Sequence, residues 1–187
     1  MKRKGDFIRT FSGIDFWPFD PRTNEIDIVD IAHALSNICR FGGHCRKFYS
    51  VAQHSVHVST VLEMERFNWT KFKTESLIGL LHDAPEAYIG DMVTPVKKHL
   101  RSFKKVDSGI WSAIALKFKL PGYIPFNVHA ADVVAIRTEV RDLINGDPAW
   151  VKNRPYCDFE PDKKKIIPVS PAEAKSMFLR RYFELMS

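Results

Sequence analysis

The sequence predicts an all-α fold, a helical bundle with a small extended element at its N-terminus. Three observations carry this. Apolar residues recur at helical spacing in successive stretches from residue 30 onward. Cap and stop signals bracket several of those stretches, among them Gly42-Gly43 and Ser170-Pro171-Ala172-Glu173. The first 25 residues are instead rich in aromatics and turn formers, as in Phe16-Trp17-Pro18-Phe19-Asp20-Pro21.

The elements follow in order. Pro18 and Pro21 forbid a long helix at the front, so residues 1–29 read as an extended segment or a short hairpin. Asp30 can cap a helix whose apolar stripe is Ile31, Ala34, Leu35, Ile38 and Phe41, ending at Gly42-Gly43. A second helix is expected from about Ser50 to Met64, with Val51, Val58, Val61 and Leu62 inward. A third begins near Thr74 and carries Leu77, Ile78, Leu80 and Leu81; it is apolar on most faces and therefore central. Pro85 disfavours α geometry at Ala84, so the chain should break just after His82-Asp83. A short piece through Glu86 and Tyr88 follows.

Thr94-Pro95 reads as N-cap and first position of a helix running to Leu100. Val106, Ile110, Trp111, Ile114 and Phe118 mark another helix, and Val128, Ala131, Ala135 and Leu143 a long one ending near Asn145-Gly146. Residues 147–169 hold Pro148, Pro155, Pro161 and Pro168 and read as an irregular loop. Ser170 and Glu173 form a capping box that opens a terminal helix over 170–187.

Composition narrows the class. At roughly 100–200 residues per domain, a chain of 187 residues is expected to be one domain, 1–187. Its 45% hydrophobic and 27% charged residues are ordinary globular usage, which excludes a disordered or fibrous chain. Cys39, Cys45 and Cys157 are odd in number and lack C-x-x-C spacing, against a disulfide framework or zinc ribbon and for a reducing compartment. The basic start Met1–Lys4 is followed by Gly5-Asp6 rather than an apolar run, and Leu77–Leu81 is far short of the roughly 20 residues that span a bilayer. The expectation is a cytoplasmic protein with no membrane partner. A net charge of +6, spread over doublets such as Lys97-Lys98 and Arg180-Arg181, suits an anionic partner or a solvated basic surface.

The chemistry concentrates at His82-Asp83. An ionisable pair after an apolar helix is costly to bury unless it is paired or binds a metal. Adjacent helical residues point about 100° apart, so both reach one ion only where the helix ends or bends, and Pro85 supplies the bend. His54 and Asp132, on the preceding and a later helix, are flanked by small or apolar residues. Two imidazoles and two carboxylates make a mixed N/O shell for a divalent ion, whether Mn, Fe, Co, Zn or Mg. A bound metal lowers the pKa of water to about 7 and polarises a phosphoryl oxygen. Glu86 could accept the proton, and Arg40 and Lys97 could balance phosphate charge. Each has a plainer alternative: Arg40 as partner of a helix C-terminal dipole, Lys97 on a solvated helix face, Glu86 as a first-turn carboxylate.

The ordered set His54, His82-Asp83 and Asp132 resembles the signature of the HD-domain metal-dependent phosphohydrolase superfamily. The segments from Asp30 to His44, from Tyr49 to His54 and from His82 to Asp91 resemble phage- and prophage-encoded HD hydrolases and, more distantly, bacterial 5′-deoxynucleotidases. The resemblance covers most of residues 7–145. It implies metal ligands at His54, His82, Asp83 and Asp132, water activation at Glu86, and Asp91 near water and the substrate sugar. It also implies Arg40 as a phosphate ligand, with an alignment gap of one residue, and Lys97 in Thr94-Pro95-Val96-Lys97 as another. The nucleotidases place Trp after that arginine to select the deoxy sugar; here the residue is Phe41, so the sugar choice does not carry over.

The other histidines divide. His33, Asn37, Arg40 and His44 recur at helical spacing opposite the apolar stripe, as a solvent face or as a polar wall over the metal. His44 is a candidate second phosphate contact, and so is His129, three residues before Asp132, where relatives often carry Lys. His57 reads as a support for the ligands or as core edge, and His99 as exposed. No compact extra His set accompanies the first, which points to one metal. The function this implies is a metal-dependent phosphohydrolase acting on a (deoxy)nucleotide, 5′-nucleotidase-like and assembled as a homo-oligomer. Alternatives are a phage-type dNTP triphosphohydrolase or pyrophosphohydrolase, a nucleic-acid-binding protein or nuclease, and a non-catalytic scaffold. Scattered basic doublets and no DNA-reading motif count against nucleic acid.

Overall fold

A computed structural model describes residues 3–64, 72–145 and 159–187. The described residues are mostly helical, with a small hairpin in which β1 (Ile8–Arg9) pairs antiparallel with β2 (Asp15–Phe16), Ile8 opposite Phe16. The helices are α1 (Ile28–Asn37), α2 (Val51–Val61), α3 (Phe72–Leu81), α4 (Glu86–Ile89), α5 (Thr94–Lys97), α6 (Arg101–Lys117), α7 (Phe126–Leu143) and α8 (Pro171–Met186). No helix among the described residues is long and apolar enough to cross a membrane.

The core forms where α2, α3, α7 and α8 pack on one another and α1 lies against α2 and α8. Val58, Val61, Ile78, Leu80, Leu81, Val134 and Phe178 are buried there, as the apolar spacing requires. Gly79 sets the approach of α3 to α2: a Cβ on it would lie 2.6 Å from Leu62 Cδ1 and 3.4 Å from Ser59 Cα. Helix-interior glycine costs about 1 kcal/mol against alanine, and here it lets α3 and α2 meet closely.

Several boundaries differ from expectation, each for a tertiary reason. Asp27 caps α1, its side chain accepting from the Val29 N–H at 2.7 Å. Asp30 is buried instead, and both its carboxylate oxygens accept from Ser12, from N–H and from Oγ, at 2.7 Å each. That pins the hairpin turn onto α1, while Phe16 stacks on Tyr88 of α4 at 3.8 Å. The first helix ends at Asn37 rather than at Gly42-Gly43. Beyond it the chain turns back, Cys39 bridging to Ser50 and the Arg40 N–H bonding Tyr49 O at 2.9 Å. The turn over Arg40–Gly43 holds Phe41 and Gly42 in left-handed geometry (φ 56° and 60°), which swings residues 40–44 toward the ends of α3 and α7.

Regular helix α3 ends at Leu81, so His82 and Asp83 lie in the turn that Pro85 forces before α4. Thr94 is the first helical residue of α5 and not its cap, and α5 closes at Lys97, because Leu100 is non-helical (φ −104°, ψ 89°). The helix marked by Val106 to Phe118 starts earlier, at Arg101. Ser170 caps α8 as expected, its Oγ accepting from the Glu173 N–H at 3.3 Å. Residues 159–169 form no helix or strand, and Gln53 of α2 ties them down through Ile167 O (2.8 Å) and Val169 N–H (3.1 Å). Pro148 and Pro155 lie outside the described residues.

Candidate metal centre and cleft

His54 comes from the first turn of α2 and is wholly buried, its ring against Glu139 of α7. Its Nε2 lies 3.2 Å from Asp132 Oδ1 and 3.5 Å from Asp83 Oδ2. His82 Nε2 lies 3.3 Å from Asp83 Oδ2 and 4.0 Å from Asp132 Oδ1. One ligand atom from each of His54, His82 and Asp132 falls within 4.8 Å of the others. The fold therefore gathers four side chains that are up to 78 positions apart in sequence around one point.

The ring orientations decide what that point can bind. His82 Nδ1 donates to the Gly79 carbonyl at 2.8 Å, the open last turn of α3. His54 Nδ1 donates to Glu139 Oε1 at 2.5 Å. Both Nε2 atoms are buried and make no hydrogen bond. A buried polar atom without a partner costs about 1–3 kcal/mol, and two imidazole lone pairs beside two carboxylates are the donor set of a divalent transition ion. The residues present thus fit a cation.

Electrostatics agree. Burial disfavours the Asp83 carboxylate, yet His82, His54 and Arg40 hold it well below the usual range. Asp132 behaves alike, burial being outweighed by His54 and His82. Burial and Arg40 pull His54 down, but Glu139 and Asp132 raise it to about 9. A cation entering here displaces a proton from that ring.

Beside this point opens a cavity of about 420 Å³, with Asp83 and Asp132 at its floor. Arg40, Phe41, His44, Glu86, Asp91 and Lys97, six of the seven residues expected to act on or contact the substrate, line it. Glu86 is buried, one oxygen 3.5 Å from Lys97 Nζ and the other without a partner. Burial, with Asp83 and Asp91 nearby, pushes its carboxyl up to about 9. Asp91 is also raised by burial, Arg40 opposing. The seventh, His129, is exposed one turn before Asp132 on α7 and does not line the cavity.

Other expectations resolve differently. Arg40 is not on the face of a continued α1. It is buried, its Nε donating to Glu139 Oε2 at 3.2 Å and its Nη1 3.5 Å from Asp83 Oδ2. His33 stacks on Phe11 at 3.8 Å, so it belongs to the hairpin contact and not to a wall over the metal. His57 pairs with Asp162 at 3.2 Å, whereas His99 is exposed as expected. Two residues escaped sequence reasoning: Asp107, 3.8 Å from Lys97, and Glu139. For Glu139 a signal existed, since it follows Asp132 by seven residues and shares its helix face.

A helical bundle that brings a His-Asp turn, a second histidine and a distant aspartate to one buried point is the architecture of an HD-domain protein. The chain belongs to the 5′-deoxynucleotidase YfbR-like family, whose model matches residues 29–130. That is a family of HD-domain hydrolases, a class that uses divalent metals, and a small nucleotide fits it as substrate. The chain is also 38% identical over 182 residues to uncharacterized protein YfdR of Escherichia coli (strain K12), covering 96% of this chain and 95% of that one. It is 36% identical over 150 residues to uncharacterized protein RCAP_rcc00048 of Rhodobacter capsulatus, covering 76% and 74%.

Proposed function

We propose that the protein is a divalent-metal-dependent phosphohydrolase that removes phosphate from a nucleoside monophosphate, in the manner of a 5′-nucleotidase. The observation that carries this reading is the pair of buried, unpartnered Nε2 atoms of His54 and His82 facing Asp83 and Asp132, two carboxylates that line a cleft also reached by Arg40 and Lys97. These four residues would hold the ion. When bound, it supplies Lewis acidity toward water and a phosphoryl oxygen.

The chain's own groups do the rest. Glu86 takes a proton at the carboxylate oxygen that no other group occupies. Burial, with Asp83 and Asp91, raises Glu86, and a bound cation would oppose the part that the two carboxylates contribute, favouring the ionised form that accepts a proton. Lys97, held between Glu86 and Asp107, lines the cleft where phosphate charge must be balanced. Asp91 offers an acceptor to a sugar hydroxyl or to water, and the ring of Phe41, 5.4 Å from the Arg40 guanidinium, forms a flat wall for the nucleoside. Arg40 and Lys97 both already face carboxylates, which leaves the cleft suited to one phosphate rather than to three.

The test is a screen of ribo- and deoxynucleoside mono-, di- and triphosphates with Mn, Co and Mg, reading the released phosphate by mass. Orthophosphate from monophosphates is expected. Tripolyphosphate or pyrophosphate from a dNTP replaces the monophosphatase reading, and no turnover of any nucleotide with any ion sinks it.

A further inference from the structure

The two histidines of the cluster are held by unlike partners. His82 leans on a neutral backbone carbonyl from its own helix turn, which any residue at position 79 would supply. His54 leans on Glu139, a carboxylate contributed by another helix, 85 residues along the chain and with no solvent exposure. Burying a carboxylate without charge compensation is among the costliest arrangements in a protein. Glu139 has both oxygens engaged: Oε1 accepts from His54 Nδ1 and Oε2 accepts from Arg40 Nε at 3.2 Å.

Resting on the cation reading above, we propose that Glu139 is a positioning residue for the metal centre, with Arg40 as its brace. The hydrogen bond at Nδ1 places the ring proton on the outer nitrogen and turns Nε2 inward as the electron-pair donor. A carboxylate acceptor also makes the imidazole a better donor than a carbonyl does. Arg40 neutralises the buried carboxylate and, through Nη1, reaches Asp83 Oδ2 at 3.5 Å. It thereby spans from the support behind His54 to a second member of the cluster on the other side. Because Glu139 follows Asp132 by two turns, about 10 Å along α7, one helix face supplies both a ligand and the holder of another ligand.

The arrangement separates Glu139 from a purely structural counter-ion of Arg40. A counter-ion alone makes no demand on the His54 ring; a positioning residue sets cation affinity. Glu139→Gln keeps the shape and an acceptor oxygen but not the charge. The expected result is a cation affinity, measured with Mn or Co by chelator competition, weaker by about 10–100-fold, with substrate KM at saturating cation unchanged within about twofold. In metal-free wild-type protein, nitrogen-15 NMR of the histidines should show a hydrogen-bonded, exchange-protected Nδ1–H on His54, and this measurement stands even where a variant fails to fold. A folded Glu139→Gln protein with wild-type cation affinity, in which His82→Ala still abolishes binding, overturns this proposal alone. So does a wild-type spectrum with no such Nδ1–H. Wild-type protein that binds no divalent cation overturns the cation reading and this proposal with it.

Discussion

The two halves of the cleft are built differently. One half, His54, Asp132 and Glu139, rides on α2 and α7, long helices whose apolar faces lock into the core. The other half, Arg40 to His44 and His82 to Lys97, is a chain of tight turns and helices of four residues. The helical half carries donors whose directions are set by packing. The turn half carries the groups that reach the cleft, and there the backbone adopts special geometry: Phe41 and Gly42 left-handed, Gly90 at φ 79°. The difference teaches a division of labour in which packed helices supply two members of the cluster, His54 and Asp132, while turns supply the other two, His82 and Asp83, together with most of the polar groups that line the cleft. Turns can aim adjacent side chains such as His82 and Asp83 at one point, whereas a straight helix points them apart.

The comparison can be broken most severely from the helical side. Asp132→Ala should remove bound cation and turnover together, read by elemental analysis beside a phosphate-release assay; retained metal would place the centre elsewhere. On the turn side, Glu86→Gln should keep the cation while kcat falls by about 10²–10⁴-fold. An unchanged kcat would take Glu86 out of the proton transfer and leave the turn half with binding alone.

Gly79 joins the halves, since it lets α3 approach α2 and its carbonyl orients His82. Gly79→Val should overpack against Leu62 and Val58 and cost about 1–3 kcal/mol in urea unfolding, with weaker cation binding. Full stability with weaker binding would show that the close approach serves the site and not the core.

The smallest effect concerns His57, on α2 but outside the cleft. Burial lowers its pKa below 6.5, Glu139 and Asp162 only partly opposing. As pH falls below about 6.5 the unfolded chain takes up a proton that the folded chain resists, so stability falls with pH until the folded pKa is passed. The stability difference between wild type and His57→Gln should therefore shrink or reverse as pH drops from 7 to 5. A difference independent of pH would show that His57 does not titrate with folding.

Much of this was legible in the residues, because the informative features are local. Apolar spacing located α2, α3 and α7. Pro85 announced the break after α3, and Ser170 with Glu173 announced α8. The ordered His54, His82-Asp83 and Asp132 stood out because polar residues on apolar stretches violate the pattern around them, and the structure brings all four together. Extrapolating a period failed where the chain left the helix. The spacing of His33, Asn37, Arg40 and His44 continues a helical face, but the bridge from Cys39 to Ser50 ends that face and sends Arg40 inward while His33 stays on Phe11. His129 shows the same limit: proximity to Asp132 in sequence does not put it in the cleft.

The sequence by itself determined which stretches are helical and which polar residues interrupt their apolar faces, because each depends on neighbours within a turn or two. Only the tertiary structure decided what those polar residues meet. Asp30 looks like a cap and is a clamp on Ser12; Arg40 looks like a partner for a helix dipole or a phosphate and is wedged between Glu139 and Asp83; Glu139 looks like one more charge on a long helix and holds His54. The reason is physical. A buried charge is tolerated only with its partner, and the partner is chosen by how helices distant in sequence pack, which no local pattern records.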